Sequence, residues 1–295
     1  MSRPHDPIRV KSEVLLHLHQ TLHSSGFVQV VTPVARRADL GTGRRAPVTL
    51  HGDRFLRAMI GPALRVNLEH HTRVYEIGPC FRLDKPDDLH ASEFSMLDLY
   101  AAGESFEYLI TLAEQLIGQH LRYPLQRVSV AQHVQDVFGV DLRRSPLGDL
   151  PQRMATHLHA DAATPFKDVL GQFVELELET RSRGAAVLLT DYPLGGDEPC
   201  ARLTPGTTAV LNRFEILIDG IEVVHGYEDE PDGAAFIERA QAVRLYDDEQ
   251  RLAWKAIDAG RVPANSVGLG IGIERLCAAA SGTRDISPFL QSTQF

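Results

Sequence analysis

Two runs of alternating apolar and polar residues, Val74–Phe81 and Glu93–Tyr100, flank a charged segment too polar to belong to a core. A period of two marks half-buried strands, so the pattern predicts a hairpin. A second hairpin is signalled by Arg213–Ile218 and Ile221–Tyr227 on either side of Asp219-Gly220, a dipeptide suited to a tight turn. Helical spacing takes over in Pro7–Ser25, where Ile8, Val14, Leu15, Leu18 and Leu22 recur and Gly26 ends the run. The same spacing returns in Ser105–Gln119, with Leu109, Leu112, Leu116 and Ile117 inward. Phe27–Thr32 is a strand stopped by Pro33, Arg54–Met59 a short strand, Pro62–Glu69 the start of a helix and Ala185–Thr190 an apolar strand. Val128–Asp141 and Leu147–His159 read as a helical insertion. Phe166–Thr180 reads as a helix whose Glu175, Glu177 and Glu179 form a solvated face, and Phe236–Ala259 as one long surface helix. Ala35–Val48, rich in Arg and Gly, reads as a loop that either connects elements or closes over a ligand. No internal repeat and no parallel strand-helix-strand series is present, so the expected fold class is α+β: an antiparallel sheet flanked by helices.

Composition narrows the possibilities. With 295 residues, 43% of them hydrophobic, the chain can bury a sizeable core, which suggests one domain over 1–295 with residues of about 125–165 inserted. Cys80, Cys200 and Cys277 are odd in number, far apart and outside any C-x-x-C, so neither a disulfide framework nor a thiolate zinc site is supported. Met1–Pro7 lacks the apolar core of a signal peptide and no apolar run reaches membrane-spanning length. The expectation is a cytoplasmic protein with no membrane partner. Lys plus Arg at 30 against Asp plus Glu at 39 gives a net charge of −9, which argues against an extended nucleic-acid surface while leaving room for a local basic patch.

Chemistry enters at the first hairpin. Alternation puts Arg82 at the end of one strand and Glu93 and Phe94 at the start of the next, so a cation, a carboxylate and a ring converge. A guanidinium forks onto a phosphate while a ring stacks on a base, a combination suited to a nucleotide. Alone, the segment reads first as a charged surface hairpin. Gly268-Leu-Gly-Ile-Gly-Ile-Glu-Arg275 changes that balance, because glycines at alternate strand positions forfeit packing where a ligand or another backbone must come close. The strand runs into a helix bearing Arg275, so two arginines distant in sequence become two clamps on one polyphosphate.

At these residues the chain resembles the class II aminoacyl-tRNA synthetase catalytic domain. Phe81-Arg82, His90, Glu93-Phe94, Asp98 and Tyr100 are similar to its motif 2, Gly268–Leu276 to its motif 3 and Gly26–Pro33 to its motif 1. Asp191-Tyr-Pro193, Arg213–Glu222 and His225-Gly-Tyr227 bring the resemblance nearest to the lysyl branch, especially the elongation factor P–lysine ligase type, which lacks an anticodon domain. The resemblance implies an ATP-dependent ligase that forms an aminoacyl-adenylate and works as a homodimer joined through the first helix and strand. Attack of an acid on the α-phosphorus unites two anions, so the chemistry needs charge neutralisation and alignment more than proton transfer. By resemblance Arg82 holds the α-phosphate and the substrate carboxylate, Arg275 the γ-phosphate, and His90 the terminal phosphates, while Phe94 stacks on adenine. Asp84 stands in the ATP site where the family has Glu. Glu215 and Glu222 match the magnesium carboxylates, each on its own strand of the Asp219-Gly220 hairpin, hard oxygen ligands suited to Mg²⁺.

Departures from the family redirect the expected substrate. Leu89 replaces an Arg before His90, with Lys85 as a nearby substitute, which implies slower turnover. Asp98 and Asp229 occupy two Glu positions that, with Tyr100, hold the distal amine of lysine in the relatives. A pair of carboxylates still selects a cation, and shorter ones admit a guanidinium or a modified lysine. His225 replaces an Asn, and Tyr227 and Gly270 complete the substrate-binding set. Gly61-Pro62-Ala63-Leu64 lacks the carboxylate that meets the α-amine, which points to a β-amino acid or to an acid without that group. Motif 1 begins near residue 26 and fewer than two dozen residues follow motif 3, so no anticodon-binding barrel is expected. The expected acyl acceptor is a protein lysine, a carrier or a small molecule. The alternatives are a minimal tRNA-aminoacylating enzyme that reads only the acceptor end and a non-catalytic amino-acid sensor.

Overall fold

The computed structural model describes residues 6–36, 48–50, 54–83, 86–196, 198–242 and 248–290. Eight strands form the main sheet: β1 (Val28–Gln29), β2 (Arg73–Phe81), β3 (Glu93–Ala102), β4 (Leu125–Ser129), β5 (Ala186–Thr190), β6 (Arg213–Ile218), β7 (Ile221–Glu228) and β8 (Ser266–Gly272). Their spatial order is β1-β2-β3-β8-β7-β6-β5-β4. The middle six are antiparallel, while β1 pairs parallel with β2 and β4 parallel with β5. The fold is thus α+β, a mixed eight-stranded sheet flanked by helices, with the expected antiparallel floor at its centre.

The helices that matter for the site are α1 (Pro7–Ser24), α2 (Gly61–Arg65), α3 (Phe106–Ile117), α4 (Val130–Phe138), α5 (Leu150–His157), α6 (Phe166–Glu177), α7 (Gly233–Ala242), α8 (Asp248–Asp258) and α9 (Ile273–Ser281). Local chemistry starts the longer ones: Asp6 accepts from the Ile8 amide at 3.0 Å, and Ser105 from the Tyr108 amide at 3.1 Å. α1, α3 and α9 cover one face of the sheet, where Leu18, Leu22, Leu109, Leu116 and Leu276 join Leu97, Ile216, Leu269 and Ile271 in one core. β8 explains why that face is so apolar: Val267, Leu269 and Ile271 go into the core and the glycines between them face the other way.

Three expectations about elements change. Residues of about 125–165 are not purely helical, since β4 adds an edge strand and β4, α4, α5, α6 and β5 make a parallel crossover with its own core. β4 is short, half-exposed and carries only Leu125 and Val128 as apolar residues, so its alternation is too weak to read. Helix α6 stops at Glu177, and Glu179 begins a separate 3₁₀ turn ending at Ser182. Of the helix expected over Phe236–Ala259, α7 and α8 are described, and residues 243–247, which lie between them, are outside the described set. Within the expected Ala35–Val48 loop, Ala35–Arg36 pairs with Phe55–Leu56, and residues 37–47 lie outside the described set. Among the described residues, no helix is long and apolar enough to cross a membrane.

The Thr32-Pro33 segment is fixed to β2 by a buried cluster. Glu76 accepts from the Thr32 amide and hydroxyl at 2.9 and 2.7 Å, and Arg57 donates to Thr32 Oγ1 at 3.0 Å, to the Pro79 carbonyl at 2.8 Å and to Glu76. Gly78 leaves the space this guanidinium needs, because a Cβ there would lie 2.3 Å from Arg57 Nη2.

Candidate active site

Partners in a strand ladder share a face, so register alone assembles the site. Gly268 lies opposite Tyr100 and Tyr227, Gly270 opposite Asp98 and His225, and on β6 Arg213 and Glu215 lie opposite Tyr227 and His225. The β6–β7 connection is a two-residue turn with positive φ at both positions, 52° at Asp219 and 78° at Gly220. This turn pairs Leu217 with Glu222, which puts Glu222 on the same face as Glu215. A bulge between Ile216 and Leu217 then turns His225 and Tyr227, instead of Val224 and Gly226, onto that face. The glycines of β8 serve their neighbours: a Cβ at Gly268 would sit 2.6 Å from the Tyr100 ring, and one at Gly270 would sit 2.7 Å from Asp98 Oδ1.

These residues line one cavity of about 380 Å³. Phe94, Met96, Asp98 and Tyr100 follow one another along its wall on β3, and a rise of about 3.3 Å per residue separates its two ends by roughly 20 Å. Arg82, His90, Glu222 and Arg275 belong to the Phe94 end; Tyr227 belongs to the Tyr100 end.

At the Phe94 end, Arg82 donates to the Ala58 carbonyl at 3.2 Å and lies over the Phe94 ring at 4.8 Å. Arg275 is held on three sides. It donates to the Leu89 carbonyl at 3.3 Å, to the Glu222 carbonyl and carboxylate at 3.1 and 3.3 Å, and to His90 Nε2 at 3.1 Å. His90 Nδ1 lies 2.8 Å from the Asp87 carboxylate, so the bonding pattern puts the ring proton on Nδ1 and leaves Nε2 to accept. Leu89 thus takes part through its backbone. Asp84 and Lys85 lie outside the described residues.

Glu215 binds Arg213 at 2.6 Å and accepts from the Tyr192 hydroxyl at 2.7 Å. Burial pushes its carboxyl up to about 7, against the pull of Arg213 and with Glu222 adding to the rise. Glu179 is also held up to about 7, by burial first and then by Glu222, so it is not the solvated residue that the sequence predicts. Crowded carboxylates of this kind are relieved by a divalent cation. The described residues contain no group of three or more His, Cys, Asp or Glu side chains arranged to hold a metal. Two carboxylates fit Mg²⁺ nonetheless, since that ion keeps water and phosphate oxygens in most of its positions.

The Tyr100 end differs from the sequence expectation. Asp98 does face the cavity, with Oδ2 accepting from the Ile60 and Gly61 amides at 3.2 and 3.1 Å, and the Tyr100 and Tyr227 hydroxyls share a hydrogen bond of 3.1 Å. Asp229 is not among the lining residues and is 2% exposed. Arg65 pairs with it at 3.3 Å, the Ser266 hydroxyl donates to it, and burial pushes its carboxyl up. Arg65 comes from α2 and lies over Trp254 at 5.9 Å, a tertiary arrangement that no local pattern announces. Sequence reasoning missed Glu198, Pro199 and Cys200, which form part of the cavity wall. Their only signal was a Gly-Gly loop closely following Asp191-Tyr-Pro193.

An antiparallel floor that gathers two arginines and two hairpin carboxylates round a single elongated cavity defines a synthetase-type catalytic domain. Residues 2–291 match the family model for tRNA synthetases class II (D, K and N), and the chain belongs to that family. Among its relatives, the lysine–tRNA ligase of Streptococcus thermophilus is 26% identical over 322 aligned positions, covering 97% of this chain and 64% of that protein. The lysine–tRNA ligase of Helicobacter hepaticus is 27% identical, over 95% of this chain and 60% of its own length. That of Saccharolobus solfataricus is 25% identical, over 96% and 64%. The chain therefore spans about three-fifths of the length of the curated relatives it matches.

Proposed function

We propose that this protein is an ATP-dependent ligase that activates a cationic amino acid, lysine-like, β-amino or guanidino, as its aminoacyl-adenylate. The observation that carries the reading is the convergence of Arg82, His90, Arg275, Glu215 and Glu222 on one cavity. Arg82 neutralises the α-phosphate and the attacking carboxylate, Phe94 stacks on adenine, and Arg275 with His90 receives the terminal phosphates. Glu215 and Glu222 are the residues that would hold Mg²⁺, which supplies positive charge shared among the phosphates. Asp98, Tyr100, His225, Tyr227 and Gly270 form the amino-acid end.

The acyl acceptor in this reading is a protein, a carrier or a small molecule. A tRNA acceptor end is the second reading, favoured by relatives that are lysine–tRNA ligases. We further assign a single catalytic domain, a homodimer and a cytoplasmic location. The dimer is supported by apolar residues left exposed on α1 and around β1, namely Ile8, Leu16, Val28 and Val31, the last 85% exposed. The location is supported by three free thiols. The test is ATP–pyrophosphate exchange across lysine, β-lysine and arginine, followed by loading of radiolabelled acid onto bulk tRNA and onto protein. Exchange with at least one cationic acid is expected. Tight amino-acid binding without exchange would replace the ligase with a sensor, and label in the tRNA fraction alone would select the second reading.

A further inference from the structure

The cationic-substrate reading needs acids that face the cavity, and Asp229 does not face it. Its charge is already compensated by Arg65, so a substrate cation has nothing to gain there. Glu198 does face the cavity, and its side chain is only 12% exposed. The segment that carries it is fixed. The Arg202 amide donates to the Glu228 carbonyl and the Glu230 amide to the Cys200 carbonyl, both at 2.7 Å, and Ala201 bridges Asp229. Backbone of residues 200–202 is thus laid along the end of β7, and the wall that the sequence assigned to Asp229 is supplied from this neighbouring segment. Glu198 Oε1 lies 3.7 Å from His225 Nε2, and Cys200 Sγ lies 3.7 Å from Glu198 Oε2. His225 is opposite Gly270, which is opposite Asp98, so Glu198 approaches the same strip of floor that Asp98 occupies. Met59, Met96, Pro62 and Pro199 supply the apolar remainder of this end. Both carboxylates face the same cavity and are almost buried, so each loses solvation there, a cost that a bound cation offsets.

We infer that Glu198, in place of Asp229, is the second carboxylate with which this site recognises the cationic group of its amino-acid substrate. Glu198 is a specificity-determining residue on a loop, and Asp98 is its partner on the floor. The inference rests on the amino-acid-activating reading above and names the group that selects the substrate. It requires no covalent step by Glu198.

The experiment measures binding and exchange separately. Lysine, β-lysine, arginine and the neutral analogue norleucine are titrated calorimetrically into the wild-type chain, Glu198→Gln and Glu198→Asp, with ATP binding and circular dichroism as controls. Wild type is expected to bind at least one cationic acid better than norleucine. Glu198→Gln should lose about tenfold or more of that affinity, the scale of one charge-assisted hydrogen bond, and keep norleucine and ATP within about twofold. Glu198→Asp should recover part of the loss. Wild-type affinity for the cationic acids in Glu198→Gln overturns the inference, as does the absence of any preference for a cation in the wild type. If the preference depends on Glu198 but no acid supports exchange, the ligase reading fails and the site assignment stands. If exchange occurs and Glu198→Gln matches wild type throughout, the ligase reading stands and the assignment fails.

Discussion

The two ends of the cavity were laid out by the same sheet, yet they relate to the sequence differently. At the Phe94 end, Arg82, Phe94, Glu222 and Arg275 all meet the cavity, and Glu215 faces it from the middle of β6, level with His225 and Asp98. At the Tyr100 end, Asp98 keeps its place, but Asp229 is withdrawn onto Arg65 and the wall is supplied by Glu198. The difference lies in what fixes a side chain. A residue within a strand or helix, such as Phe94, Glu222 or Arg275, inherits its direction from the backbone, whereas one just past a strand end is aimed by its tertiary partners: the Ala58 carbonyl and the Phe94 ring hold Arg82 at the cavity, and Arg65 draws Asp229 away from it.

The largest effect that could break this comparison is at the phosphate end. Arg275 joins Glu222, His90 and the Leu89 backbone around one guanidinium, so Arg275→Ala removes a preorganised charge and the frame that orients His90. Loss of a preorganised electrostatic group costs roughly 10²–10³ in rate, so exchange should fall by at least about that factor. Circular dichroism and the urea midpoint should change little, because the α9 residues Leu276 and Cys277 hold the core contacts. Exchange at the wild-type rate would remove Arg275 from the site and with it the view that this end is legible from spacing.

Asp229→Asn addresses the other end with a smaller effect. If Asp229 is structural, removing its charge strands the Arg65 guanidinium, which is 6% exposed, beside a neutral amide. Breaking a buried ion pair from one side costs about 3–5 kcal/mol, and the isosteric amide keeps the Ser266 contact, so a loss of about 3 kcal/mol is expected in urea denaturation. Preference among lysine, arginine and norleucine should stay as in wild type. A changed preference with unchanged stability would return Asp229 to the substrate site and erase the contrast between the two ends.

What could be read in advance, and what could not, follows the same division. The hairpin of Val74–Phe81 and Glu93–Tyr100 and the alternate glycines before Arg275 are local patterns, and both persist as β2, β3 and β8. Placing Glu215 and Glu222 on one face needed only the Asp219-Gly220 turn, whose two positive φ values suit these residues. The bulge at Ile216/Leu217, which turns His225 and Tyr227 toward the cavity, leaves no trace in a pattern of apolar positions. Edge strand β4 was hidden by its polarity, and the role of Glu179 by a helix that ends two residues before it. Arg65 and Asp229 are 164 positions apart, so only the folded chain could reveal that one neutralises the other.

The smallest expected effect separates the two ends most finely. Gly270 lies opposite Asp98, and an added Cβ would come within 2.7 Å of Asp98 Oδ1. That carboxylate cannot simply turn away, since its other oxygen accepts from the Ile60 and Gly61 amides. In Gly270→Ala, either those two hydrogen bonds open or Asp98 is pushed into the amino-acid end, and overpacking of this kind costs about 1–3 kcal/mol. The KM for the amino acid should therefore rise roughly tenfold, which is about 1.4 kcal/mol. The KM for ATP should move by less than about twofold, because Asp98 is two alternations along β3 from Phe94, roughly 13 Å at the strand rise. Steady-state exchange with each substrate varied in turn gives both constants from one preparation. Equal rises in the two KM values would mean that strain at Gly270 travels along the floor, and that the cavity behaves as one site whose ends cannot be altered independently.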